Sequence, residues 1–123
     1  INAIENSVRE MYSNEKVLVV FQPHLFSRTR DFIDDFAAAL SKFDEILLLD
    51  IYPARELPIA GVNSEWLLNK ITNRHKNLTQ KNNLVKDIKS SSAKVIVMFG
   101  AGDIGTMINE VTNQILKPLE NEI

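Results

Sequence analysis

Cysteine is absent from this 123-residue chain, which excludes disulfide bonds and thiolate chemistry and is typical of a cytoplasmic protein. Histidine is scarce too. His24 and His75 stand far apart on different predicted elements, so no metal-ligand spacing arises and we expect no metal site. No apolar run is long enough to cross a membrane, and no signal peptide is visible. We therefore expect no membrane partner.

The chain also has no large excess of positive or negative charge, because its formal net charge is only −2. Without a basic excess there is no electrostatic case for a nucleic-acid partner. Hydrophobic residues make up 45% of the chain and charged residues 24%, which is ordinary for one globular domain with a real core. The chain begins with Ile1 rather than Met, so we expect it to be a piece of a longer protein.

Apolar runs alternate with helical patterns along the chain, which predicts an α/β fold. Strands are predicted at 17–21, 46–51, 76–79 and 94–99, and helices at 1–12, 28–42 with Ser27 as N-cap, from Ser64 as the next N-cap, at 82–90, and from 104 until Pro118. The apolar stripes place Met11, Phe32 and Ile108 among the core-facing residues. We predict a Rossmann-like three-layer sandwich whose mainly parallel sheet, of about four to six strands, has helices on both faces and the order 3-2-1-4.

The stretch FQPHLFSRTRD, residues 21–31, joins the first strand to the second helix and carries most of the candidate chemistry. It contains His24, Arg28 and Arg30. Two arginines near the start of a helix oppose its macrodipole, which favours negative charge there. A bound anion would remove that conflict, and the carboxyl ends of parallel strands are where α/β folds bind anions. The stretch therefore predicts an anion site.

The same arginines also allow a purely structural interpretation. Arg28 is three residues from Asp31, and Arg30 is four residues from Asp34, so both pairs could form ordinary ion pairs on a solvated helix face. The residue pattern alone leaves the anion site and the ion pairs open.

A second long loop, residues 52–63, leaves the carboxyl end of the second strand and carries Tyr52, Arg55 and Glu56. Loops of this length at this edge of a sheet are often functional. The alternative is a surface excursion in which Pro58–Ile59 packs down on the fold.

Three glycines, Gly100, Gly102 and Gly105, satisfy the pattern G-x-G-x-x-G after the last strand. A dinucleotide fingerprint belongs to the first βα unit, however, whereas this one opens the last unit, and Asp103 would oppose a pyrophosphate. We expect instead a tight turn whose amides remain available to an anion. In the predicted strand order this turn and the 21–31 loop flank the same crevice.

Three separated motifs agree in order with a known family. FQPH…SRTRD, DEILLLDIYPARELPIAG and VMFGAGDIG resemble the carboxyl-terminal domain of the Mur ligases, most closely the branch that joins L-alanine to UDP-N-acetylmuramate. The resemblance covers about residues 1–116. It implies that residues 1–123 form the third domain of a cytoplasmic enzyme of peptidoglycan precursor synthesis, after an N-terminal UDP-sugar domain and a central ATP domain with a P-loop.

The resemblance also implies a reaction. In this family ATP phosphorylates the muramyl carboxylate, and the acyl phosphate meets the amine of L-alanine, with Mg²⁺ and positive groups stabilising the charge. The third domain closes over the other two and brings cations to the reacting acid. We expect no cofactor on this domain alone, and no activity from it alone, because the chain has no P-loop motif.

Residue roles carry over where the motifs match. The resemblance implies that His24 and Arg28 contact the carboxylate of alanine or the lactyl end of the muramyl group, and that Arg30 supports the loop or adds charge. Tyr52 and Glu56 match the second loop as substrate-binding candidates without a defined role. No catalytic residue and no metal ligand is assigned.

The chain departs from the family at Leu25 and Phe26, where an arginine and an aromatic hydroxyl are frequent. That leaves open a related ligase that reattaches a recycled peptide. A stand-alone module that binds a small anion or nucleotide is the alternative from another class of protein.

Overall fold

The computed structural model describes residues 2–12, 14–100 and 104–121, with side chains for all of these except 2, 4 and 115–121. Its strands are β1 (Val17–Gln22), β2 (Glu45–Leu48), β3 (Lys76–Leu78) and β4 (Val95–Gly100). Its helices are α1 (Asn2–Met11), α2 (Phe26–Asp31), α3 (Ile33–Leu40), α4 (Ser64–Lys70), α5 (Leu84–Lys89) and α6 (Ile104–Asn121), and a 3₁₀ turn (Lys81–Asn83) precedes α5.

The four strands form one sheet in the order β3-β2-β1-β4, and every neighbouring pair is parallel. Val19 in the centre of β1 stands opposite Ile46 of β2 and Val97 of β4. All six residues of β1 are buried, as an apolar central strand covered on both faces requires. The predicted α/β class, parallel sheet and strand order are therefore confirmed.

Two apolar cores lie on opposite faces of this sheet, and together they make the three predicted layers. The first core contains Val17, Val19, Phe21, Ile46 and Leu48 from the strands with Ile33, Ala37, Leu40, Phe43, Leu67 and Ile71 from the segments around α3 and α4. The second core contains Leu18, Val20, Leu47 and Leu49 with Leu84, Ile88, Ile104, Met107 and Val111 from α5 and α6. Alternate residues of β1 serve the two cores, as its pleat dictates.

The second predicted helix is wrong in its start and its continuity. It begins at Phe26 rather than Arg28, and it breaks at Phe32, whose φ of −119° separates α2 from α3. Ser27 lies inside α2 instead of capping it. Leu25, with a φ of 69°, occupies the N-cap position directly before Phe26. The break turns Phe32 outward, 51% exposed, so its predicted place in the core is wrong.

Two other apolar assignments are wrong. Met11 is 70% exposed, since α1 is held to the fold through Val8, which packs on the first core, and Arg9, which donates to Asp44 at 3.1 Å. Ile108 lies at the surface because α6 turns Met107 inward.

Two predicted helix ends also differ. Asn63, not Ser64, caps α4: its side chain accepts a 2.8 Å hydrogen bond from the N–H of Trp66, while the Ser64 hydroxyl donates to the carbonyl of Leu49. Pro118 does not stop α6, which continues to Asn121. A proline there removes one N–H near the end of the helix, and a single further turn can follow.

Candidate functional site

Two segments are joined at the carboxyl edge of the sheet: residues 23–31, which follow β1 and include α2, and residues 52–63, which come after β2. We call them the two tied loops. The N–H of Leu25 donates to the carbonyl of Tyr52 at 2.9 Å, and the N–H of Tyr52 donates to the carbonyl of Pro23 at 2.8 Å. The rings of His24 and Tyr52 lie nearly parallel, 21° apart in plane, with centroids separated by 6.1 Å. The structure thus brings His24 and Tyr52 together, although 28 positions separate them in the chain.

Backbone strain is concentrated in the same two loops. The non-glycine residues with positive φ among those described are Leu25 at 69°, Ala54 at 47° and Arg55 at 75°. Such conformations cost free energy and persist where surrounding contacts fix them, as functional loops often do. Leu25 sits between His24 and the start of α2, so its conformation sets the direction in which the helix leaves the strand.

Glu56 fastens the second loop to the start of α2. Its Oε1 accepts from the Ser27 N–H at 2.9 Å, and its Oε2 accepts from the Ser27 hydroxyl at 2.5 Å. These bonds, the hydroxyl first and the N–H next, hold the pKa of Glu56 below its ordinary value near 4.5. An ionised carboxylate of the chain itself thus lies at the start of this helix. Whether Glu56 also meets substrate stays a prediction.

Arg28 is exposed, and no acidic side chain in the described part of the chain pairs with it. Arg30 instead pairs with its neighbour Asp31 at 2.9 Å, which raises the arginine pKa, and Asp34 pairs with Lys70 at 3.3 Å. The two ion pairs predicted as the structural alternative, Arg28 with Asp31 and Arg30 with Asp34, are therefore wrong. Arg28 remains available to an anion from outside the chain.

The turn after β4 begins beside the end of β1. Gly100 stands opposite Gln22 in the register, with a φ of 142°, and a Cβ there would collide with the Gln22 carbonyl oxygen. The predicted close backbone approach is confirmed at Gly100. Gly102 lies outside the described residues, and the anion-binding role of this turn stays a prediction.

Arg55 and Ser27 are the residues of this edge that sequence reasoning left out of the site. Arg55 is exposed in a strained conformation and, within the described ranges, has no ion pair. It was visible as a cation in a long loop. The contact between Ser27 and Glu56 spans 29 positions, so no local sequence pattern predicts it.

Nowhere in 2–12, 14–100 and 104–121 do three or more His, Asp or Glu side chains gather so that they could hold a metal ion. The chain also lacks the P-loop pattern. Among the helices described, none combines the length and apolar character needed to cross a bilayer.

Comparisons with known proteins point in one direction. The chain is 63% identical over 115 residues to a UDP-N-acetylmuramate–L-alanine ligase of Flavobacterium psychrophilum, a match that covers 94% of this chain and 26% of the relative. A ligase of the same name from Christiangramia forsetii is 61% identical over 116 residues, and one from Parabacteroides distasonis is 46% identical over 113 residues. The chain spans about a quarter of the length of these curated relatives. No family model matches it.

Proposed function

Because the chain belongs to the same family as the UDP-N-acetylmuramate–L-alanine ligases, the Mur ligases, we propose that it is the third, carboxyl-terminal domain of such an enzyme. The parent would join L-alanine to UDP-N-acetylmuramate at the expense of ATP, in peptidoglycan precursor synthesis. The observation that carries the proposal is the 63% identity over 94% of the chain. The names of the relatives also favour L-alanine over a recycled peptide as the incoming group.

In this proposal, the edge formed by the two tied loops faces the reacting groups. Arg28 is exposed in the first turns of α2 and has no acidic partner among the described residues, and His24 lies four positions earlier, in the loop that leads into this helix. Both would receive a carboxylate, either that of L-alanine or that of the lactyl group. A guanidinium suits this because its donors match a carboxylate in a bidentate way. Arg30 is already paired with Asp31, so its role is to support the loop.

The tied loops would also hold His24 and Arg28 in place. Glu56 fixes the start of α2 through Ser27, next to Arg28, and the backbone of Tyr52 fixes Leu25, next to His24. Preorganised charge costs no rearrangement when the reaction occurs, which is what stabilisation of a developing anion requires. Tyr52 and Glu56 would thus act mainly by positioning His24 and Arg28.

ATP and Mg²⁺ belong to the parent enzyme in this proposal. Since the residues described here offer neither a P-loop nor a cluster of metal ligands, we assign no step through either group to this chain. Its partners would be the N-terminal and central domains of the same protein, together with the two substrates. The absence of cysteine favours a cytoplasmic parent.

Activity of the parent and of the 123-residue chain tests the proposal. The parent should release ADP only when both UDP-N-acetylmuramate and L-alanine are present, and the chain alone should release none. ADP release by the isolated chain would contradict the proposal. Release by the parent with a peptide instead of L-alanine would favour the related ligase that recycles peptides.

Titration calorimetry on the chain separates the proposal from a stand-alone binding module. With ATP, UDP-N-acetylmuramate and L-alanine as separate ligands, we expect no dissociation constant below about 10 µM, since most of the contacts would come from other domains. A tighter constant for any of them would favour the module.

A further inference from the structure

A second concave site lies at the carboxyl edge of the sheet, apart from the two tied loops. It is a cavity of about 290 Å³ lined by Gln22, Leu49, Asp50, Gln80, Lys81, Asn82 and Met107. These residues come from the ends of β1, β2 and β3 and from α6, on the face of the second core. No residue of 23–31 or 52–63 lines it, so it is not the site of His24 and Arg28.

Gln22 gives this cavity an unmet hydrogen-bonding need. The residue is only 7% exposed, and its Oε1 is a buried acceptor without a partner among the described residues. Its Nε2 has only a long contact of 3.4 Å, to the carbonyl of Asp50. Buried acceptors are nearly always paired in folded proteins, with protein groups or with water, so this one is open to a donor that enters the cavity.

The other polar groups of the cavity also favour a neutral ligand with several hydroxyls. The Asp50 carboxylate is exposed and, in the described part of the chain, accepts no hydrogen bond and forms no ion pair. The amides of Gln80 and Asn82 can both donate and accept. The lining contains one residue of each charge sign, Asp50 and Lys81, so it does not select for a strongly anionic or a strongly cationic ligand.

We propose that this cavity binds the vicinal diol of a sugar. One hydroxyl would donate to Gln22 Oε1 and the other to the Asp50 carboxylate, while both would accept from the neighbouring side-chain amides. Leu49 and Met107 supply an apolar wall for the C–H face of the ring. The volume is near the lower limit for small-molecule sites, which suits a single ring.

The position of Asp50 agrees with this assignment. It follows β2 at the strand's carboxyl end, next to β1. In dinucleotide-binding α/β folds an acidic residue after the second strand accepts hydrogen bonds from ribose hydroxyls. A second cavity of about 290 Å³, toward the end of β3, also has Asp50 and Gln80 in its lining.

NMR titration of the ¹⁵N-labelled chain tests the proposal and separates two sources of the diol. Adenosine presents a ribose diol, and 2′-deoxyadenosine is its control without one. N-acetylglucosamine presents a hexose diol, and acetamide controls for its amide group. We expect at least one sugar to shift the Gln22 side-chain amide signals saturably, at least about tenfold more tightly than its control. If neither sugar exceeds its control, the proposal is wrong.

Variants then place the binding in the cavity. Asp50→Asn keeps the size of an exposed side chain, so the chain should fold, and it should weaken the sugar by at least about tenfold. Asp35→Asn makes the same change on α3, on the other face, and should leave the affinity unchanged. Equal affinity for the sugar in Asp50→Asn and in the unsubstituted 123-residue chain would overturn the proposal. The test uses the chain itself and does not depend on the ligase reaction.

Discussion

At the scale of single residues, the charges of the two tied loops are treated differently. Glu56 is held by Ser27 and Arg30 by Asp31, whereas Arg28 and Arg55 have no acidic partner among the described residues. Charged side chains of a loop that are left unpaired beside a fixed scaffold are candidates for binding. The electrostatic character of the site therefore rests on which cations the fold has not neutralised.

The lowered pKa of Glu56 predicts a pH dependence of stability. A carboxylate whose pKa is lower in the folded state stabilises the fold above its unfolded pKa, near 4.5, and this contribution is lost as the pH falls through the folded pKa. Glu56→Gln should therefore lower the melting temperature at about pH 7, and the difference from the parent chain should shrink toward about pH 3. Thermal melts monitored by circular dichroism measure this.

Glu10→Gln is the matched control, since Glu10 is exposed on α1 and its carboxylate has no hydrogen-bond or ion-pair partner among the described residues. Its melting temperature should follow that of the parent chain at every pH. If the melting temperature of Glu56→Gln changed with pH in the same way as that of the unsubstituted 123-residue chain, the contact with Ser27 would not stabilise the fold.

Gly100 and Gly105 should respond in opposite ways to the same substitution. Gly100→Ala places a Cβ against the Gln22 carbonyl at a φ of 142°, so the free energy of unfolding should fall by about 2–4 kcal/mol. Gly105 lies in the first turn of α6 with nothing within 4 Å of a Cβ, so Gly105→Ala should raise it by about 0.5–1 kcal/mol. Urea denaturation measures both, and equal effects would contradict the described turn.

At the scale of secondary-structure elements, the break between α2 and α3 decides which aromatic and aliphatic residues reach the core. Phe32 is 51% exposed and Ile33 is 7% exposed. Periodicity placed both on one apolar stripe, and nothing in the residue spacing marks the break at Phe32, where φ is −119°. Tertiary context can override a local pattern in this way.

This break makes a prediction for two adjacent residues. Phe32→Ala should change the free energy of unfolding by no more than about 0.5 kcal/mol, whereas Ile33→Ala should lower it by about 2–4 kcal/mol. Urea denaturation of the two variants, with unchanged m-values, is the measurement. A larger loss at Phe32 than at Ile33 would mean that the helix runs straight through this point.

At the scale of the whole molecule, the sequence predicted the architecture well because three of the four described strands, β1, β2 and β4, are short apolar runs with few alternatives. The order β3-β2-β1-β4 followed from placing the first strand in the interior of a doubly wound parallel sheet with right-handed crossovers. The order also brought the loops after β1 and β2 to one edge, which placed His24 near Tyr52. The Gln22 cavity was not predicted, since a buried acceptor becomes recognisable only once its partners can be counted.

In the proposed function, Arg28 binds a carboxylate that arrives with the substrates. The most direct test of this claim is steady-state kinetics of the full-length parent carrying Arg28→Ala, with Arg74→Ala as the matched control. Arg74 is also exposed, but it lies just before β3 and therefore at the amino edge of the sheet. We predict that kcat/KM for L-alanine falls at least about tenfold in Arg28→Ala and stays within about twofold of the parent value in Arg74→Ala. Unchanged kinetic constants in Arg28→Ala would contradict the claim.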